Sequence, residues 1–567
     1  MADSPKHKGA RATALYRIAA YPFAAVRTLV EMPVCLAAAM GYAAIRRNPD
    51  QAKRCVDALR GKAASLAGST EARTIVFLFA LAFCVRVATS LATVCVSKDA
   101  ATFLSIARHI QDKGLASAVE TNQHPLFPLL MAGFQMLFGR TILGAQLFCS
   151  FLSALAVAPF YLLVRDVFGN PVARLAGAIF AVHGVVVCNA ADILTEPAYM
   201  LFYLASLGFG LRALRKPSWT RFFMAGLLSG LAYLTRPEGL GAAMIVGGWA
   251  GLFGLARIKG GWKPFLVGGA VLAAGAAICV LPYAGMNGWR LTPKKKMAEL
   301  VRFEENPSRQ PYEAVKPKPP VEAARYNLHR MGELVVVLVR TGHAWLVMLP
   351  FGLLLRRTVG WGGFGEIYLL SAIAFNLLLG YAVNVVFGYV SQRHLLTAAA
   401  LMMPWMAIGV EETLAGLASA GGVRRVVATL GGAALLALAA SVITEDFLPR
   451  RRDQEGTRRA GLWIARHMPD RTICGTLAPR VALYAHAEYI EMRSDYPLFD
   501  VADIARKKGA GIIVVDAENV RRTTPDYDLN RILKHPDLRE RFSCENRKGT
   551  GGRDIIVFEV LPREGHD

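Results

Sequence analysis

Five short polar clusters interrupt an otherwise apolar chain: SKDAATFL (97–104), NQHPLFPLL (122–130), AADILTEPAYM (190–200), GLAYLTRPEGL (230–240) and YVSQRHLLT (389–397). The stretch Ser97 to Pro128 organises the rest, because it follows directly on an apolar run from Arg73 to Val96. Asp99 therefore stands where hydrocarbon gives way to water. A carboxylate there can act as a base that meets a lipid-carried substrate on one side and a hydrophilic acceptor on the other. Each cluster also has a plainer reading. Lys98 and Asp99 make a solvated helix end. Thr195 and Pro197 start a helix as N-cap and first-turn proline. Arg236 and Glu238 pair at a helix break, and Arg393 snorkels at a membrane edge.

The elements that must position these residues follow from composition. The chain has 567 residues, 54% hydrophobic and 19% charged, with a mean hydropathy of +0.35. Soluble chains average about 45–50% apolar and about 25% charged. The net charge of +23 punctuates the apolar blocks, which marks topology and anionic-lipid contacts, with no nucleic-acid partner. No cleavable signal peptide is expected, since Arg17, Arg27, Glu31 and Pro33 break the first apolar run. Six of the nine cysteines (Cys35, Cys84, Cys95, Cys149, Cys188 and Cys279) lie in or beside apolar runs and read as small hydrophobes. Cys474 and Cys544 fall in the polar tail, where they either pair, if the tail is extracytoplasmic, or stay free.

Apolar blocks predict eleven spans, at about 74–96, 142–164, 172–189, 197–211, 222–235, 238–256, 265–283, 333–355, 366–387, 395–410 and 426–443. The run from Pro125 to Phe138 is too short to cross and is placed flat on the outer face. Alternate counting puts the loops Arg165 to Arg174, Arg212 to Arg221, Arg257 to Lys263, Arg356-Arg357 and Arg424-Arg425 inside. All are short and basic, as the positive-inside rule requires. The same count gathers 97–141, 190–196, Thr235 to Gly239, 284–332, Gly388 to His394 and the tail on the outer face.

Three regions follow. Residues 1–72 are basic, and Leu15 to Ile45 either lies along the cytoplasmic membrane face or enters it as a re-entrant or spanning helix. Residues 73–444 are the transmembrane region. Its outer loop 284–332, with Lys294-Lys295-Lys296 and KPKPP, is either a linker or a lid that orders on substrate. Residues 445–567 alternate helical stretches with β-rich runs at Arg471 to Gly475, Glu488 to Met492, Gly511 to Asp516 and Asp554 to Val560, which predicts one small α/β domain.

In this order and spacing the clusters resemble the GT-C glycosyltransferases, especially the bacterial branch related to protein O-mannosyltransferases and the lipid A aminoarabinose transferase. The resemblance covers about residues 73–445. It rests on Asp99 just after the first span, a His-Pro-x-x-Pro helix at His124 and a second acidic loop. The GLLSGLAYLTRPEGL run and Arg393 before a late span add to it. It implies a polytopic α-helical membrane protein of GT-C-like fold with a C-terminal extracytoplasmic α/β domain, in a bacterial inner (plasma) membrane. It implies a polyprenyl-phosphate-linked sugar donor and a protein, lipid or glycan acceptor, among membrane lipids. Asp99 falls at the family's catalytic carboxylate, and His124 falls where relatives carry His or Lys before Pro. Asp192 matches the acidic residue of the second outer loop, Glu196 opens the next helix, and Arg393 resembles a phosphate-contacting arginine. Many members carry a second acid beside the first. Here Lys98 and Ala100 flank Asp99, so a divalent metal ion on Asp99 and Asp192 stands as one alternative and no cofactor as the other.

The chemistry of such a transfer fits the residues. Displacing a phosphate monoester from an anomeric carbon needs no acid for the leaving group. It needs one base for the acceptor hydroxyl and cations for the departing phosphate. Glycoside hydrolysis would instead need two carboxyl groups across one bond. Asp99 is then the base, and inversion is expected. Asp192 and Glu196 orient hydroxyls or hold an ion. Arg236, Arg393, His124 and Lys98, with the Lys294–Lys296 run, hold phosphate. The rival reading is a lipid or glycan transporter or flippase, which predicts mid-membrane charges and paired broken helices. Apart from Arg86 the span interiors are nearly free of charge, and no internal repeat is evident. A third reading is a non-catalytic scaffold whose tail binds cell-wall components.

Overall fold

The computed structural model describes residues 69–121, 123–257, 261–291, 320–354, 363–417, 422, 426–427, 429–435, 437, 451–475, 478–491, 501–517, 532–546 and 554–562. The segment 1–68, the lysine run and most of KPKPP in the expected lid, and most of the span expected at 426–443 lie outside these residues. The chain divides into two compact units, Met1–Ala82 and Phe83–Asp567. The first contributes the opening turns of helix α1 (Thr70–Ala92), and everything below concerns the second.

Helices carry the apolar blocks. After α1 come α2 (Lys98–Lys113), α3 (Leu126–Phe138), α4 (Ile142–Leu155), α5 (Val157–Phe168), α6 (Asn170–Val182), α7 (Gly184–Ala191), α8 (Glu196–Arg215), α9 (Trp219–Thr235), α10 (Leu240–Ala256), α11 (Lys263–Met286), α12 (Pro320–Gly342), α13 (Met348–Leu354), α14 (Phe364–Phe387) and α15 (Gln392–Leu417). Among the described residues seven helices are long and apolar enough to span, or nine if two bent pairs each count once. The expected eleven also included α9, which at 17 residues falls short of the usual ~20, and the stretch 426–443. Helix α3 has 13 residues, short of the ~20 a crossing needs. Its tip instead exposes Met136, Leu137 and Phe138.

The break between α6 and α7 explains the buried arginine of α1. The two helices meet at His183 with a 45° bend, which frees carbonyls in the last turn of α6. Buried Arg86 donates to Ala181 O at 2.7 Å and Phe180 O at 3.4 Å, and to Ser153 Oγ at 2.7 Å. Interrupted helices are tolerated in a bilayer only when such groups find partners. Arg86 thus acts as a cap, not as a charge on a transport path.

The sequence GLLSG spaces Gly226 and Gly230 one turn apart on α9, a small-residue face that lets helix backbones touch. It packs against α11, where Gly275 approaches the Phe223 carbonyl in the same way. Loops 165–174 and 212–221 also meet at one end of the bundle, where Arg212 Nε lies 2.5 Å from Asp166 Oδ2. That end is the far end of α8 from Glu196, about 30 Å away. Alternate counting likewise put these two basic loops on one side.

The tail builds a mixed five-stranded sheet from β1 (Ile473–Gly475), β2 (Tyr489–Glu491), β3 (Ile512–Asp516), β4 (Leu538–Cys544) and β5 (Ile555–Val560), in the order β2-β1-β3-β5-β4. β2, β1 and β3 run parallel, while β5 is antiparallel to both β3 and β4. Helices α16 (Glu455–His467) and α17 (Ala478–Ala485) cover one face, and α18 (Val501–Lys507) covers the other. The four β-rich runs read from sequence are β1, β2, β3 and β5. The run LRERFSC was not among them, because charged residues break its alternation at the sheet edge. Cys474 and Cys544 are both free and buried, so they do not pair. They sit on β1 and β4, three strand steps of about 4.8 Å apart, and pack into cores on opposite faces.

A Cβ on Gly226 would stand 1.9 Å from the Leu272 carbonyl oxygen, whereas one on Gly248 meets nothing within 4 Å. Gly226→Ala is therefore expected to cost at least about 1–3 kcal/mol and to lower the melting temperature in detergent. Gly248→Ala should leave it unchanged, and equal melting of the two variants would refute the close contact of α9 with α11.

Candidate functional site

Four helix junctions bring their polar residues to one place. Asp99 stands in the first turn of α2, whose N-cap Ser97 accepts a hydrogen bond from Ala100 N at 3.0 Å. A carboxylate in that turn also complements the helix dipole. Glu196 opens α8, Arg236 and Glu238 lie between α9 and α10, and Arg393 opens α15.

These residues form a continuous chain of ion pairs. Arg393 pairs through Nη1 with Asp99 and through Nε with Glu196 Oε1 at 2.5 Å. Arg236 pairs through Nη1 with Glu196 and through Nη2 with Glu238 at 3.0 Å. The Arg236 guanidinium also lies over the Tyr199 ring, 5.8 Å from its centre. Glu196 is the buried centre, with only 3% of its side chain exposed, while Asp99 at the outer end is 49% exposed. Arg236, Glu238 and Arg393 line a narrow cleft with Tyr199, Asn376 and His394. An acid, two planar cations and an open end suit a reaction that deprotonates one group while holding an anion.

Asp192 does not join this chain. It is buried, and its carboxylate accepts two hydrogen bonds from Arg451, at 3.0 Å from Nε and 2.8 Å from Nη2. Burial alone would lower the Arg451 pKa, but the hydrogen bonds and charge of Asp192 more than offset it and hold the guanidinium above its ordinary value. The Asp192 carbonyl accepts from Ser97 Oγ at 2.9 Å, which fastens the α7–α8 loop to the turn carrying Asp99. In that loop Leu194 N bonds Asn189 O and Ile193 N bonds Ala190 O, a Schellman turn. The left-handed position, usually glycine, is Ile193 at φ +54°, a β-branched outlier that stores about 1–3 kcal/mol. Tyr484 of the tail accepts from Val96 N at 3.0 Å, so the α/β domain also grips the approach to Asp99.

His124 is buried between the rings of Tyr233 and Tyr283, at centroid distances of 5.1 and 5.7 Å. Lys98 is exposed at the start of α2. The carboxylates do not fit a divalent cation. Arg393 engages Asp99 and Arg451 engages Asp192, and no group of three or more His, Cys, Asp or Glu side chains converges among the described residues. Sequence reasoning reached Glu238 only as a plain pair and did not reach Arg451. Its one signal was the Arg450-Arg451-Arg452 run at the start of the tail.

Comparison with known proteins identifies the fold on which these residues sit. The family described as dolichyl-phosphate-mannose-protein mannosyltransferase matches residues 122–283. None of the curated proteins matches the chain. ArnT from Cupriavidus metallidurans bound to undecaprenyl phosphate superposes with a TM-score of 0.56 at 11% identity, over 87% of this chain and 99% of that one. Its apo form gives 0.52 at 11% identity, over 86% and 98%. The Archaeoglobus fulgidus oligosaccharyltransferase, in complex with Zn and sulfate, gives 0.52 at 16% identity, over 78% and 68%. The fold is GT-C. The match extends beyond residues 73–444, since 87% of this chain is covered.

Arg451→Met would leave Asp192 buried without its cation. Breaking such a pair is expected to cost about 3–5 kcal/mol, read as a lower melting temperature and faster proteolysis at the tail boundary. Adding Asp192→Leu should recover most of the loss. A single variant as stable as the parent would show that the pair does not hold the tail.

Proposed function

We propose that this protein is a membrane glycosyltransferase. It moves a sugar from a polyprenyl-phosphate donor to an acceptor hydroxyl, with inversion and with Asp99 as general base. The observation that carries the proposal is the Asp99–Arg393–Glu196–Arg236 chain at the helix junctions of a GT-C fold. The matched family is named for dolichyl-phosphate-mannose, and ArnT was captured with undecaprenyl phosphate. Both point to a polyprenyl-phosphate carrier.

In this mechanism the acceptor oxygen attacks the anomeric carbon as its proton passes to Asp99. The bond from that carbon to the phosphate oxygen breaks, and the electron pair leaves with the phosphate. Arg393 and Arg236 neutralise the developing charge. Two guanidiniums already engage three carboxylates, Asp99, Glu196 and Glu238. The arriving phosphate therefore competes for Arg393, and the most exposed partner, Asp99, is the one it displaces. Donor binding frees the base at the moment it is needed. Glu196 stays buried and keeps the two arginines oriented, while Lys98 adds positive charge at the entrance. His124 stays buried between its tyrosines and takes no part in the transfer. No step calls for a metal ion. The carrier's polyprenyl tail stays in the bilayer, each buried CH₂ contributing about 0.8 kcal/mol. The reaction accordingly takes place at the interface, on the outer face of a bacterial inner membrane, where the tail domain also lies.

The test is transfer of radiolabelled sugar from polyprenyl phosphate to an envelope acceptor fraction by purified protein in vesicles. Asp99→Asn should lower the rate by about 10²–10⁴, and near-parental transfer would remove Asp99 from that role. Arg393→Lys keeps the charge but loses the planar fork, so its donor KM should rise by more than its acceptor KM. A parallel rise in both would place Arg393 away from the donor phosphate. Mass spectrometry of envelope glycans with and without the protein identifies the acceptor.

A further inference from the structure

A second cavity lies apart from the ion-pair chain, between α2 and the tail domain. It holds about 510 Å³ and is lined by Arg108, His109 and Asp112 of α2 and by His486, Glu488 and Tyr489 of the tail. That volume falls within the range of small-molecule sites, about 300–1,000 Å³. Both walls are fixed. Arg108 and Asp112 lie one turn apart on a 16-residue helix. Leu483 and Tyr484 of α17 pack into the same apolar core as α2, which locks the tail wall in place. Tyr489 opens β2, the edge strand of the sheet, so unpaired backbone donors and acceptors also face outward there.

We infer that this cleft binds a saccharide, as the non-reacting part of a glycan acceptor. The inference rests on the glycosyl-transfer reading and narrows its acceptor class. The lining mixes acids, imidazoles and a guanidinium around an aromatic ring. A free phosphate would face Asp112 and Glu488, and an acyl chain would face a polar wall. Sugar hydroxyls both donate and accept, so they satisfy such a mixture, and the apolar face of a pyranose fits an aromatic ring. Arg108 Nε is buried with no hydrogen-bond partner among the described residues. An orphaned donor of this kind costs about 1–3 kcal/mol. His486 holds φ +55° as the left-handed residue that ends α17, where Ala487 N bonds Ala482 O, and this turn brings its side chain to the cleft wall. Asp99 and Arg108 are nine residues apart on α2, about 14 Å of rise and opposite faces of the helix. A group held in the cleft and a hydroxyl at Asp99 thus belong to different units of one extended acceptor. Binding at such a distance contributes orientation to the reacting end.

The test reads binding without turnover, in full-length Asp99→Asn protein in detergent. Fluorescence polarisation would follow tagged mannohexaose, chitohexaose and hexagalacturonate, with a tagged Ser/Thr-rich peptide as the competing class. At least one saccharide should bind saturably. Adding Tyr489→Ala or Arg108→Ala should weaken it by about tenfold or more, a loss of about 1.4 kcal/mol, with unchanged melting. Binding of the peptide alone, of none of the four probes, or of a saccharide that ignores both cleft variants would overturn the inference. A protein that binds sugar through the cleft yet transfers none would count against the transfer reading and leave the cleft standing. A protein that transfers sugar while both cleft variants bind as the parent would do the reverse.

Discussion

One buried carboxylate holds the arrangement together. Glu196 has 3% of its side chain exposed and touches two guanidiniums. Taking a carboxylate out of water costs several kcal/mol even after relaxation, and only close, well-directed cations repay it. Arg236 and Arg393 come from helix junctions far apart in sequence, so satisfying Glu196 draws α8, α10 and α15 to a common point. Asp99 is then caught by the same Arg393, which brings in α2. The convergence of these helix ends is thus a requirement of one desolvated charge, met by two arginines.

The tail domain acts on the same point from the other side. Arg451 satisfies buried Asp192, and Tyr484 accepts the Val96 amide just ahead of the turn that carries Asp99. Between Asp192 and Glu196 the backbone bends through Ile193 at φ +54°. A strained β-branched residue persists only where its surroundings over-determine it. Here Asp192 is clamped at one end and Glu196 at the other, so the loop has no relaxed alternative. The division of labour is clear in the two acids that sequence reasoning grouped together. Glu196 holds the two arginines that line the cleft, and Asp192 pairs with Arg451 at the start of the tail domain.

What could be read from sequence followed from local physics. Apolar blocks of span length, the short run at Leu126–Phe138 and the buried strand Ile512–Asp516 all carry their signal within a few residues. The Arg236–Glu238 pair was legible for the same reason, two residues apart. The Thr195 cap was half legible: it is the N-cap of α8, but its hydroxyl makes no capping bond. The gathering of Asp99, Glu196, Arg236 and Arg393 was inferred from helix ends and a counted topology. The partner of Asp192 was not legible, since Arg451 lies 259 residues away in a basic run that looks like any other. The edge strand Leu538–Cys544 was hidden because edge positions tolerate charge.

Arg86 shows how the same argument discriminates between functions. A buried guanidinium within a span, beside a broken helix, is also what a transport path would contain. Its bonds decide the matter, because they end on the carbonyls released by the break at His183 and on Ser153 Oγ. The break and the arginine compensate each other: the released carbonyls receive the guanidinium's donors. At the helix ends the opposite holds. Asp99 keeps 49% of its side chain in solvent, and its partner Arg393 is shared with a stronger, buried competitor. Polarity that is fully consumed supports structure, whereas polarity shared and half-exposed is free to exchange partners when an anion arrives, and in this molecule that condition is met at Asp99 and Arg393.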